Sequence, residues 1–292
     1  MQIAIASGKG GTGKTTLSVN LATLLSQQIS ENTTILLADM DVEEPNSGLF
    51  LKGELLHSEV KYRMVADWDE KKCTFCERCA NICEFNAIAY LGISVMVFPE
   101  LCHSCYACSD LCPEDALPMI PRRMGELKEY KLTDRLFFME SRLDIGVEQA
   151  TPLIEQSRKH IKKSNAENMI VIIDAPPGTS CPVIEAVKDA DIVLLVTEPT
   201  PFGLHDLTLA VDTMQELKKN IAVVINKYGI GNREVEKYCA DKQIPVIGKI
   251  PNLKEAAMMY SKGEILVDSI PEIRTEIDNI YQNIIKLTKP KQ

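Results

Sequence analysis

The sequence predicts an α/β protein, a mostly parallel, doubly wound sheet with helices on both faces, interrupted by a small α+β insert. Three observations carry this. Short apolar runs alternate with longer helical patterns, as they do where strands are buried on both faces. A glycine-rich segment, Gly8-Lys9-Gly10-Gly11-Thr12-Gly13-Lys14-Thr15, stands between the first strand pattern and the first helical pattern. The periodicity then breaks across residues 61–122, where eight of the ten cysteines fall.

In chain order, apolar runs predict strands over 3–6, 34–39, 169–174, 192–197, 221–226 and 246–250. Amphipathic spacing predicts helices over 14–27, 149–162, 181–187, 204–219, 232–241 and 252–262. Arg135-Leu136-Phe137-Phe138-Met139, followed by Leu143-Asp144-Ile145-Gly146, reads as a hairpin or edge pair re-entering the sheet. Near the C-terminus Ile273, Ile277, Ile280, Tyr281, Ile284, Ile285 and Leu287 recur at helical spacing. That helix lacks the basic and aromatic faces of a surface anchor, so it is expected to pack on the sheet. Pro118 to Pro121-Arg122-Arg123 reads as a boundary. The main domain is therefore expected over 1–60 and 123–292, and the insert over 61–122.

Composition excludes several classes. The net charge of −9, with no basic block, argues against nucleic acid and anionic lipid as partners. No apolar run approaches the roughly 20 residues of a membrane span. Met1 to Ala6 runs straight into a strand pattern, leaving no leader, so a cytoplasmic setting with reduced thiols is expected.

The insert contains one cysteine motif written twice. Cys73, Cys76, Cys79 and Cys83 form C-x2-C-x2-C-x3-C, and Cys102, Cys105, Cys108 and Cys112 repeat it, followed by Pro113. Three thiolates at i, i+3 and i+6 can wrap one face of a cubane cluster, while the fourth reaches across to the other cluster. That rule groups Cys73, Cys76, Cys79 and Cys112 at cluster one, and Cys83, Cys102, Cys105 and Cys108 at cluster two. Structural zinc is a rival reading, but it uses paired C-x2-C units and would leave thiolates idle. Redox thiols and a three-iron cluster are two further rivals. Two [4Fe–4S] clusters are the expectation.

Gly8 to Thr15 fits G-x4-G-K-[ST], between a strand and a helix as that motif requires. Its glycines let successive backbone N–H groups turn onto phosphate oxygens, and the helix N-terminus adds partial positive charge. Lys14 would meet the β- and γ-phosphates, the Thr15 hydroxyl would ligate Mg²⁺, and Thr16 follows on the first helical turn.

With Lys9 included, K-G-G-x-G-K-[ST] resembles the deviant phosphate loop of the MinD/ParA ATPases, a group that includes the nitrogenase iron protein and the Mrp-type iron–sulfur carriers. The resemblance covers about 230 residues outside the insert. It implies that Lys9 reaches the nucleotide of a dimer partner, either a second copy or a similar ATPase. In Asp39-x-Asp41-x3-Pro45-Asn46 it implies that Asp41 orients the attacking water and Asp39 lies near Mg²⁺. In Asp174-Ala175-Pro176-Pro177-Gly178-Thr179 it implies that Asp174 holds Mg²⁺ through water and the Gly178 N–H senses the γ-phosphate. After Val223-Val224-Ile225 it implies that Asn226 recognises adenine. The catalytic set would be Lys9, Lys14 and Asp41.

The cysteine segment resembles a bacterial-type two-cluster ferredoxin, with Glu84 where that family has proline. The expected function is an ATP-hydrolysing dimeric switch coupled to two clusters for ATP-dependent electron transfer, with a redox partner protein not named by the sequence. Iron–sulfur cluster carriage and MinD/ParA-like positioning with redox sensing are the two competing functions. Cys181 reads as a buried structural thiol, Cys239 as core, and His103 as a solvated loop residue.

Overall fold

Runs of Ile, Leu, Val and Ala with no polar face can be strands only where both sides are covered, and here they form the middle of a sheet. The computed structural model describes residues 1–30, 32–164 and 168–288. Its elements in chain order are β1 (Gln2–Ala6), α1 (Lys14–Gln28), β2 (Thr34–Asp39), β3 (Glu54–Ala66), α2 (Arg78–Ile82), β4 (Ile88–Tyr90), β5 (Val95–Val97), α3 (Ala107–Asp110), β6 (Met119–Lys131) and β7 (Leu136–Leu143). There follow α4 (Thr151–Ser164), β8 (Met169–Asp174), α5 (Cys181–Ala186), β9 (Ile192–Thr197), α6 (Pro201–Glu216), β10 (Ile221–Tyr228), α7 (Glu234–Asp241), β11 (Val246–Pro251), α8 (Lys254–Tyr260), α9 (Leu266–Ser269) and α10 (Pro271–Thr288). The chain divides into two units, one of residues 1–59, 127–142 and 154–292, the other of residues 60–126 and 143–153.

Among the described residues a nine-stranded sheet runs in the order β11-β10-β9-β1-β8-β2-β7-β6-β3. From β11 to β7 every neighbouring pair is parallel. Register fixes what meets at the carboxyl edge: Ile5 lies opposite Asp174, and Asp174 opposite Asp39. The phosphate loop leaves β1 at that same edge, where ligands of open α/β sheets bind.

α1 and α10 cover the sheet. On α10, Ile273, Ile277, Ile280 and Ile284 are at most 2% exposed, each worth about 1.5–3 kcal/mol of apolar burial. The helix packs on the core as the periodicity predicts. No described helix is long and apolar enough to cross a membrane. α6 begins with Pro201 behind Thr200, whose side chain accepts the Gly203 N–H at 3.0 Å.

Two readings need correction. Residues 135–146 are not a pair of strands. One continuous strand, β7, runs parallel to β2, and Asp144 to Gly146 form the turn after it. A tight turn joins β6 to β7, with the Thr133 Oγ1 accepting the Arg135 and Leu136 N–H groups at 3.2 and 3.0 Å. Nor do Pro118 to Arg123 form a boundary: Pro121, Arg122 and Arg123 lie inside β6, and the first stretch of the second unit runs on to Glu126.

The second unit has a small core of Ala66, Ile88, Val95 and Leu117. The β4–β5 hairpin pairs Ile88 with Val97 and Tyr90 with Val95.

Candidate functional site

The turn from β1 into α1 is a set of backbone demands met by glycine. Gly13 caps α1 with φ of 99°, in the left-handed region that side chains rarely adopt. A Cβ there would also lie 2.1 Å from the Asn226 Nδ2. The turn opens onto a cleft of about 470 Å³. It is lined by Gly10, Gly11, Lys14, Thr15 and Thr16 of the turn and α1, by Asp41 and Asn46, and by the apolar Ile250, Pro251, Leu253 and Ala256. Backbone N–H groups at a helix N-terminus, a cation and a hydroxyl, in a cleft that also has apolar walls, suit a nucleotide. Lys14 is 7% exposed. Burial lowers its pKa, while Asp174, Asp41 and Asp39 act to keep it charged.

The carboxylates have different surroundings. Asp39 is completely buried, and its oxygens accept backbone N–H groups from Asp41 (3.1 Å), Asn46 (3.1 Å) and Ser47 (2.9 Å). It therefore shapes the 41–47 loop that carries Asp41. Asp174 leaves Oδ1 buried without a partner. Its Oδ2 accepts the Ser47 hydroxyl at 3.5 Å, and the Thr15 and Ser18 side chains lie beside the carboxylate. An orphaned carboxylate oxygen beside a threonine hydroxyl at a phosphate loop is the hard-oxygen donor set Mg²⁺ takes, so Thr15 and Asp174 fit the ion.

Burial, reinforced by the Asp39 charge, pushes Asp174 up to about 7, and burial with Asp39 pushes Asp41 up to about 6. The folded nucleotide-free chain thus keeps a proton on Asp174 that the unfolded chain releases near its ordinary 3.8. Stability from this group is full below that value and is lost as pH rises toward about 7. Asp174→Asn is expected to raise the melting temperature of nucleotide-free protein at about pH 8 and flatten its pH dependence, while removing stabilisation by Mg-ATP. Thermal melts over about pH 5–8 check this; a variant less stable than the parent at every pH would contradict it.

Three further residues occupy specific states. Lys9 points to Asp206 of α6, at 3.8 Å. The Gly178 N–H donates to the Ser7 carbonyl at 2.9 Å, so contact with a γ-phosphate would require that bond to open. Asn226 donates from Nδ2 to the Thr12 carbonyl at 2.8 Å and accepts the Lys227 N–H at 2.9 Å. It ties the phosphate loop to the end of β10 while lining the cleft.

The sequence reading missed Ser18, Ser47 and Tyr260. The Tyr260 side chain lies near Thr16, and its ring packs on Phe50 at 4.9 Å between centroids. Nothing in their local pattern marks them, since all three look like ordinary helix or turn residues. Cys181 corrects an expectation: it is exposed, at the first position of α5. Cys239 is fully buried as expected, and burial raises its thiol to about 11.

In the second unit the duplicated motif becomes duplicated backbone. Phe75, Glu77 and Asn86 have positive φ, and so do Ser104, Tyr106 and Asp115 at the same offsets in the second copy. The fourth cysteines are treated alike: Ala87 N–H meets the Cys83 Sγ and Ala116 N–H the Cys112 Sγ, each at 3.3 Å. Cys83, Cys102, Cys105 and Cys108 line one enclosed apolar cavity with Phe85 and Tyr106. Burial raises the Cys108 thiol to about 11, assisted by Cys102, Cys105 and Cys83. Cys79 is raised by burial, with Cys73 and Cys112 as its thiol neighbours. The structure thus brings Cys83 to the second triplet and Cys112 to the first. His103 is exposed, but it is stacked on Phe85 at 3.8 Å rather than merely solvated. Among the described residues no three His, Cys, Asp or Glu side chains gather around a point suited to one metal ion. Thiol-only groups, Cys83 with Cys102, Cys105 and Cys108, and Cys79 with Cys73 and Cys112, with N–H groups on sulfur, fit multi-iron clusters, while Cys76 is exposed.

Fold and cleft define a P-loop nucleotide-binding protein. More narrowly, residues 3–267 match the CobQ/CobB/MinD/ParA nucleotide binding domain, and the chain belongs to that family. An uncharacterized protein of Methanocaldococcus jannaschii is 32% identical over 286 residues, covering 97% of this chain and 96% of its own. An iron-sulfur cluster carrier protein of Aquifex aeolicus is 26% identical over 302 residues, covering 98% of this chain and 66% of the carrier. The septum site-determining protein MinD of Pyrococcus horikoshii OT3, solved with Mg-ADP, shares the fold with a TM-score of 0.61. It is 18% identical and covers 98% of this chain and 96% of its own.

Proposed function

We propose that the protein is an ATP-hydrolysing dimeric switch carrying two [4Fe–4S] clusters, and that it couples ATP binding to one-electron transfer toward a partner protein. The observation that carries this reading is the co-occurrence, in one chain, of a cleft lined by Lys14, Thr15 and Asp41, with Asp174 buried beside Thr15, and of a twice-written four-cysteine motif.

At the nucleotide, Lys14 and the α1 N-terminus neutralise phosphate charge, Thr15 and Asp174 hold Mg²⁺, and Asp41 orients water in line. Asp39 acts one step back by fixing the loop that presents Asp41. Lys9 leaves Asp206 and reaches a partner's nucleotide, which makes dimerisation the readout of ATP. Cys73, Cys76, Cys79 and Cys112 would hold cluster one, and Cys83, Cys102, Cys105 and Cys108 cluster two. Such clusters supply single electrons at potentials tuned by charge, hydrogen bonds and exposure.

Lys9→Ala is expected to bind ATP yet stay monomeric, whereas the parent protein dimerises with Mg-ATP. Sedimentation velocity on anaerobically purified protein separates the two. A Lys9→Ala dimer as abundant as the parent's would remove the switch from this reading.

Cluster carriage is the second reading, favoured by the similarity to the Aquifex aeolicus carrier. Two complete sets of four thiols count against it, because a resident cluster with all four ligands satisfied is hard to release. Rapid transfer of iron and sulfide to an apo-ferredoxin would favour carriage.

A further inference from the structure

The two halves of the cysteine unit repeat in sequence and backbone, but one feature is unpaired. Arg63, on β3, is 6% exposed. Its Nη1 donates to the Cys102 carbonyl at 3.2 Å and to the Gln149 Oε1 at 2.6 Å, and its Nη2 donates to the Pro99 carbonyl at 2.9 Å. Every one of these partners is neutral. The Nε is buried without a partner. Glu100, the nearby acid, is exposed and bonded to Arg122 at 2.7 Å.

A buried cation without a counter-ion is strongly disfavoured. Two negative charges reach Arg63: that of Glu100, exposed and engaged by Arg122, and that which the set beginning at Cys102 would carry, Cys102 itself being 8% exposed. The first copy has the same turn, with Cys73 N–H bonded to the Glu70 carbonyl as Cys102 N–H is to the Pro99 carbonyl, at 3.3 and 3.2 Å. The cations near the first copy are Lys71, Lys72 and Arg78, all exposed and screened by water.

We infer that Arg63 is the buried counter-charge of the set Cys83, Cys102, Cys105 and Cys108 and gives it the higher reduction potential of the two. This rests on the two-cluster reading above. A fixed positive charge in a dry environment favours the more negative, reduced state. Burial of the sulfurs works the other way, but both sets pack against the same small core through Cys73 and Cys79 or Cys83 and Cys108. The guanidinium belongs to one set. A low-potential one-electron donor, oxidised by one electron, therefore leaves that electron on the set beside Arg63, with no bond made or broken.

The test is a dithionite potentiometric EPR titration of the full-length parent, Arg63→Gln, Arg63→Lys and, as control, Arg122→Gln, each with iron and sulfide counted. The signal lost or altered in Cys105→Ser identifies the set concerned. Arg63→Gln is expected to make that set at least tenfold harder to reduce, a fall of about 59 mV, with the other set and Arg122→Gln unchanged. Equal potentials in the parent, or an unmoved set in a fully loaded Arg63→Gln, would overturn the inference. If Arg63→Gln loses iron, Arg63→Lys decides: retention of the set supports the charge role, and loss overturns it in favour of fork geometry. Absence of iron from the parent would sink the two-cluster reading itself, a separately recognisable result.

Discussion

Replacing Lys14 by glutamine is expected to lower ATP turnover by about 10²–10³-fold, the usual consequence of removing one preorganised charge-stabilising donor. Glutamine keeps much of the length and the hydrogen-bonding tip, so the change isolates charge. Lys14 is 7% exposed, faces Asp174 and Asp41, and lies on the first turn of α1. In that dry setting its charge acts on phosphate oxygens with little screening. Nucleotide-free protein should melt at a similar or higher temperature, because a buried, desolvated cation is removed. Steady-state phosphate release and thermal melts together check the expectation. Turnover within threefold of the parent would mean that the loop does not hold the reacting phosphates.

The second large effect concerns the crossed cysteines. Cys83→Ser is expected to damage the cluster of the second triplet, not the one its sequence neighbours hold, and Cys112→Ser the reverse. Loss of one four-iron cluster would take the iron content from about eight to about four per chain. The motive is spatial: Cys83 lines the cavity of Cys102, Cys105 and Cys108, whereas Cys112 is a thiol neighbour of Cys79. EPR of the two variants, compared with Cys76→Ser and Cys105→Ser, assigns which signal goes. If Cys83→Ser and Cys76→Ser removed the same signal, the crossing would be wrong.

Legibility in the sequence followed how local the physics was. β2, β8 and β9 were readable end to end, since each is an apolar run ending where a polar residue reaches the sheet edge. The phosphate loop was readable because its glycines answer a local backbone demand. β3 and β6 were missed for the opposite reason. They are 13 residues long with mixed charged and apolar positions, and β6 contains Pro121 and Gly125, which read as punctuation. The role of Asp39 was half visible: its place at a strand end was clear, but its three backbone donors come from a loop whose path only folding defines. Arg63 gave no signal at all, because an arginine in a mixed strand looks solvated until burial is known. Cys181 misled because a lone cysteine without a second ligand reads as a structural thiol, and exposure at the first position of a helix has no local sign.

The most direct test of the coupling between nucleotide and clusters is a potentiometric EPR titration of anaerobically purified protein with and without Mg-ATP. ATP binding linked to redox state must move at least one potential. A tenfold preference of one redox state for the ATP-bound form is about 59 mV for a one-electron couple. The account predicts a shift of at least that size, absent in Lys14→Gln. Two fully loaded clusters with potentials unchanged by saturating Mg-ATP would contradict it.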